Sequence, residues 1–175
     1  MQAFPDFSKQ NILSRASKIA DIDTANIQKA YPKTGSPKSL VILVNFKDVS
    51  FVTPDPVNAF TNMLNKSGYN VNGGTGSAKD YFYSSSNGIS SPNFVVVGPY
   101  TLPNDMKYYG ENDTNGDDKN PRQMVIDACF QAYSNGVNFK DYDTDNDGIV
   151  DNVFIYYAGY NEAENGPDDS VWPHR

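Results

Sequence analysis

From Ser39 to Phe46 the chain reads Ser-Leu-Val-Ile-Leu-Val-Asn-Phe, a continuous apolar run rich in β-branched residues and without polar alternation. A strand that faces water on one side alternates apolar and polar residues; a strand covered on both sides does not. The run therefore predicts a central strand buried on both faces, and everything else in the chain has to be arranged around it.

The segments that follow supply the covering layers. Asp55 and Pro56 read as N-cap and first helical residue, and Val57, Phe60, Met63 and Leu64 form one apolar stripe before Ser67-Gly68 stops the helix. Ser77 with Asp80 three residues later makes a capping-box-like start for a short aromatic helix containing Tyr81, Phe82 and Tyr83. A second strand is predicted over Asn93–Gly98 and a third over Asn152–Ala158. Between them, Asn120-Pro121 opens the best helix in the chain. Met124, Val125, Ala128, Cys129, Ala132 and Tyr133 line its wide apolar stripe, and Asn135-Gly136 closes it. Strands alternate with helices, so the predicted class is α+β with α/β-like layers, helices against a sheet. Upstream, the Pro, Gly and Ser cluster from Tyr31 to Pro37 marks a boundary: residues 1–37 read as a leader or linker and 38–175 as the body. Within the leader, Ile12, Leu13, Ala16, Ile19 and Ala20 fall at helical spacing, so the segment is either a short amphipathic helix or a flexible leader.

Charge narrows the function classes. The formal net charge is -7 over 175 residues, and five acidic residues fall between Asp141 and Asp151. Such a surface does not track phosphates, so nucleic acid is not an expected partner. The longest apolar runs fall far short of the roughly 20 residues that span a bilayer, so no membrane span is expected. Met1–Lys9 lacks the basic-then-apolar pattern of a secretory signal, so either the chain is cytosolic or its signal has been removed.

The acidic residues have a pattern of their own. Asp143, Asp145, Asp147 and Asp151 stand at positions one, three, five and nine of a loop with Gly148 at six. A hard cation such as calcium takes six to eight oxygen ligands, and alternate residues of a turning loop can aim them at one centre. The glycine permits the sharp turn that brings in the carbonyl of Ile149 at position seven. The expected calcium ligands are thus Asp143, Asp145, Asp147, Ile149 and Asp151, with Asp141 either a sixth or outside the set. Position twelve, a carboxylate in a helix–loop–helix hand, is Phe154, and the chain runs on into a strand. A solvated Asp and Asn turn is the bland alternative. The second acidic stretch, from Glu111 to Asp118, has poorer spacing and reads as an exposed loop.

Other motifs are weak. Gly73–Lys79 lacks the Gly-Lys-Ser/Thr ending of a phosphate loop, and Cys129 lies on an apolar helix face, where core packing is the expected role. A single histidine, His174, cannot build a zinc centre alone. No residue stands in a recognisable catalytic pattern.

Read in order, several of these segments resemble the immune inhibitor A-type zinc metallopeptidases, a family of secreted bacterial proteases. The resemblance rests on Leu40–Phe46, Asp80–Gly88, Phe94–Tyr100, Tyr108-Tyr109-Gly110, the helix from Arg122, Asp141–Gly159 and Trp172-Pro173-His174-Arg175, and it covers the chain from about Ser39 onward. It implies the N-terminal part of a zincin-like catalytic domain, a twisted mixed sheet backed by helices. It also implies a secreted enzyme acting on protein or peptide substrates. Zinc would be held by a His-Glu-x-x-His helix further along, in the remainder of the catalytic domain, so this chain alone is expected to be inactive and no family catalytic residue transfers to it. The calcium loop would clamp the turn between helix and strand. The competing expectation is a non-catalytic calcium-dependent module that binds protein or carbohydrate through its many Tyr and Phe side chains.

Overall fold

The computed structural model describes residues 31–174. The leader helix expected around Ile12–Ala20 lies outside them. Among the described residues the sheet is built from β1 (Lys38–Asn45), β2 (Asn93–Thr101) and β3 (Val153–Tyr157), and four α-helices accompany it: α1 (Pro56–Asn65), α2 (Ala78–Ser85), α3 (Met106–Gly110) and α4 (Pro121–Ser134).

β1 is the central strand, in the order β2-β1-β3. Leu40, Val41, Ile42, Leu43 and Val44 are all 0% exposed, which accounts for the unbroken apolar run. Successive side chains point to opposite faces. Val41 and Leu43 join Leu64 and Phe94 in one core, with Val57, Phe60 and Met63 of α1 and Ala78 of α2 packed against it. Leu40, Ile42 and Val44 join the other core, with Met106 and Tyr109 of α3 and Met124, Ala128 and Ala132 of α4. The strand order explains why helices fall on both faces. From β1 the chain moves to one side to reach β2, then returns past β1 to reach β3. Right-handed crossovers taken in opposite directions place their helices on opposite sides of a sheet.

The expected mixed sheet is corrected here, because β1 pairs in parallel with both β2 and β3. Each strand-to-strand connection runs through helices, and such a crossover returns the chain in its original direction, whereas a tight hairpin would reverse it. β2 also extends past the predicted end at Gly98. Its register against β1 slips between Ile42 and Val44, where the cis Gly98-Pro99 peptide occurs, and pairing resumes at Tyr100 and Thr101.

Local signals hold where they are self-contained. Asp55 accepts a hydrogen bond from the Asn58 amide at 3.1 Å, with Pro56 in the first turn of α1. Ser77 and Asp80 form a reciprocal capping box on α2. In contrast, α3 has no counterpart among the predicted elements. Its Tyr109 is fully buried and donates its hydroxyl to Asp127 of α4 at 2.8 Å, while Gln123 donates to the other oxygen of Asp127 at 2.9 Å.

The end of α3 is fixed by a close approach. A Cβ on Gly110 would stand 2.4 Å from the Ser170 carbonyl carbon and 2.5 Å from the Val171 nitrogen, so only glycine lets the helix lie against that segment. Both contacted atoms are backbone and cannot turn aside. Gly110→Ala should therefore destabilise the protein by about 1–3 kcal/mol in urea unfolding, whereas Val52→Ala, at a side chain that is 97% exposed, should stay within about 0.5 kcal/mol. Equal effects of the two substitutions would refute the packing described.

Candidate metal centre

A 3-10 turn at Phe139–Tyr142 leads from α4 toward β3 and anchors the acidic loop through the buried Tyr142. The Asp151 amide donates to the Tyr142 carbonyl at 3.1 Å, closing the neck of the loop just before β3 begins. Two residues inside the loop, Asn146 at φ 58 and Gly148 at φ 89, lie in the left-handed region. They reverse the chain tightly enough to fold its carboxylates inward.

Asp143, Asp145 and Asp147 bring carboxylate oxygens within 4.8 Å of one another, and this is the group of metal-capable side chains that converges among the described residues. Backbone amides organise it. Asp143 accepts from the Asp147 amide at 3.1 Å and, on its other oxygen, from the Gly148 amide at 2.9 Å. Asp145 accepts from the Asp147 amide at 3.2 Å, and Asp147 from the Ile149 amide at 2.8 Å. The donor set is all oxygen and anionic, suited to a hard cation of the calcium or magnesium class and unsuited to a soft one. Three like charges this close repel, and a divalent cation relieves that repulsion.

The other expected ligands stand differently. The Asp151 carboxylate lies outside the convergent group and accepts from both the amide and the hydroxyl of Thr144. It ties the first turn of the loop to its last residue. Ile149 adjoins the group through its amide, with its side chain largely exposed. Asp141 accepts from Asn138 at 2.9 Å, on the turn before the loop, and is likewise outside the group.

The weaker motifs acquire local explanations. Next to the glycine-rich loop the Asp80 carboxylate accepts from the Ser77 amide of that loop at 2.9 Å and from the Gly68 amide at 2.8 Å, so the Ser77 amide already holds an anion. These two backbone bonds hold the Asp80 carboxyl below its ordinary pKa. Cys129 packs against the core of α4, and burial pushes its thiol up to about 11, which keeps it protonated and poorly nucleophilic. His174 has its Nδ1 2.9 Å from the Trp172 carbonyl. It joins no group of three metal-capable side chains among the described residues.

Sequence spacing alone could not separate Asp151 from the other three carboxylates, because its side-chain direction follows from the Thr144 contact. The two kinds of position should respond differently to substitution. Asp145→Asn should weaken calcium binding, measured by isothermal titration calorimetry, by about ten- to a hundredfold, and Asp151→Asn should weaken it much less. A larger loss at Asp151 than at Asp145 would mean that the loop closes around its ion by a different geometry. No family model matches the sequence, and no curated protein matches it.

Proposed function

We propose that this chain is the N-terminal part of a secreted zinc metalloendopeptidase, a zincin-like upper subdomain stabilised by a calcium ion in the Asp143–Asp151 loop. The observation that carries the calcium part is the convergence of Asp143, Asp145 and Asp147 within 4.8 Å on the loop that leads into β3. The peptidase part rests on the ordered resemblance of the segments from Leu40 to Arg175, and a layered sheet with helices on it is compatible with that reading.

The division of labour follows from the residues. Zinc, when bound in the complete enzyme, would activate a water for peptide-bond hydrolysis; its ligands and the general base belong to the His-Glu-x-x-His helix that the resemblance puts downstream. This chain contributes the scaffold. β1 and its two cores hold the sheet, and the calcium loop fixes the start of β3 by joining the turn after α4 to the edge of that sheet. Calcium would be linked to folding, because the triad is assembled only when the loop is closed.

A second reading is a non-catalytic calcium-dependent binding module. Its support is the set of exposed aromatic side chains: Tyr81 and Tyr83 on α2, together with Tyr160 and Trp172. Such rings can grip a sugar or a protein surface.

Two measurements test these readings. Removing calcium with EDTA should lower the melting temperature by about 5–10 °C, given saturation near a hundredfold above Kd, and calcium should restore it. No shift would overturn the calcium role. For the peptidase role, the chain ending at Arg175 should leave casein intact, and the complete gene product should cleave it in a zinc-dependent way. A coding sequence without the His-Glu-x-x-His motif after Arg175 would favour the binding module instead.

A further inference from the structure

An asparagine followed by glycine can react with its own backbone, because no side chain on the glycine crowds the nitrogen that attacks the asparagine carboxamide. The sequence holds five such pairs, at Asn72, Asn87, Asn115, Asn135 and Asn165. All of these asparagines are exposed, so access to water does not distinguish them. The state of the attacking nitrogen does.

In four pairs that nitrogen is held. The amides of Gly88, Gly116, Gly136 and Gly166 donate to the carbonyls of Tyr83 at 2.7 Å, Asp113 at 3.2 Å, Tyr133 at 3.0 Å and Asn161 at 2.9 Å. Each would have to leave its acceptor and open the turn it closes before it could reach the side chain behind it. Two of the asparagine side chains are held as well: the Asn115 amide donates to Asp113 at 3.4 Å and the Asn135 amide to the Gln131 carbonyl at 2.8 Å. The other two pairs are crowded. A Cβ on Gly88 would stand 3.3 Å from the Tyr83 ring, and one on Gly166 2.5 Å from the Asn161 carbonyl oxygen.

The fifth pair is unlike these. Among the described residues the Gly73 amide has no such partner, and the Asn72 side chain makes no hydrogen bond. The short turn at Val71–Gly73 is interrupted by Asn72 itself, at φ 53 and ψ 35, and it is the next amide, Gly74, that donates to the Val71 carbonyl at 3.1 Å. No atom lies within 4 Å of the position a Gly73 Cβ would take. Val71 is 54% exposed, so the residue before Asn72 does not anchor the loop to a core.

We propose that Asn72 is a modification site, the place where the folded chain first deamidates spontaneously. The Gly73 nitrogen gives its proton to hydroxide and attacks Asn72 Cγ. The N–Cγ bond forms, the Cγ–Nδ2 bond breaks, and Nδ2 takes a proton from water and leaves as ammonia. Water then opens the cyclic imide at either carbonyl, giving aspartate or isoaspartate. The sum is water consumed and ammonia released, with nothing oxidised or reduced. The product adds a negative charge to the loop joining α1 to α2, and isoaspartate lengthens its backbone, at a residue that belongs to neither core.

Peptide mapping by mass spectrometry tests this, because the other four pairs serve as controls within the same molecule. During incubation of the folded chain in mildly alkaline buffer, Asn72 should convert faster than any of them by about fivefold or more, since a single retained hydrogen bond accounts for a factor of that size. In urea sufficient to unfold the chain the lead should vanish, because the bonds protecting the other four are gone. Asn72→Gln should remove the fast phase of ammonia release and leave the slower conversions as they were. The proposal is overturned if another pair converts as fast as Asn72 in the folded protein, or if the fast phase survives Asn72→Gln. It is equally overturned if the lead persists undiminished in urea, which would assign it to the neighbouring residues and not to the fold.

Discussion

The burial of β1 on both faces is the constraint on which the rest of the structure depends. Five consecutive residues, Leu40 to Val44, have no contact with solvent, so each face of the strand must be covered by a separate set of helices. A strand so placed needs a hydrogen-bonded neighbour on either side, and β2 and β3 meet that need in parallel. Parallel neighbours in turn demand long crossovers, and those crossovers are where α1 to α4 come from. The helices are thus a consequence of the strand as much as of their own propensities.

Much of this framework was legible in the sequence because the deciding signals are local. The apolar run of β1, the Asp55-Pro56 start of α1 and the Ser77–Asp80 capping box each depend on residues within one turn of each other. The alternate carboxylates of Asp143, Asp145 and Asp147 belong to the same class of signal, since a short loop leaves few ways to point them. What escaped is decided at a distance. α3 is only five residues long, too short to show periodicity, and its Tyr109 is buried in the core and bonded to Asp127 on another helix. Asp127 itself, on a helix surface by pattern alone, is only 4% exposed. Strand direction is likewise set by tertiary connection and leaves no local trace.

The acidic surplus of the chain is therefore organised in two different ways. Around Asp143–Asp147 the carboxylates are near the surface and held by loop amides, so the geometry is local and open to solvent. Around Asp118 the charge is drawn inward and held by segments from three parts of the chain. The first arrangement can be copied by almost any loop with the right spacing. The second exists only once the fold is complete.

The segment after β3 illustrates how irregular backbone can belong to the folded core. Ser170 and Val171 are almost wholly buried, the Val171 carbonyl accepts from Tyr157 of β3 at 2.7 Å, and Gly110 packs against the peptide between them. With the Trp172 amide bound to Asp118, this stretch is fastened to a strand, a helix and a loop at once. It cannot fray independently of them. Local opening there requires loosening all three, so a segment without regular secondary structure joins the same cooperative unit as the sheet, and a probe of slow amide exchange would see it as core.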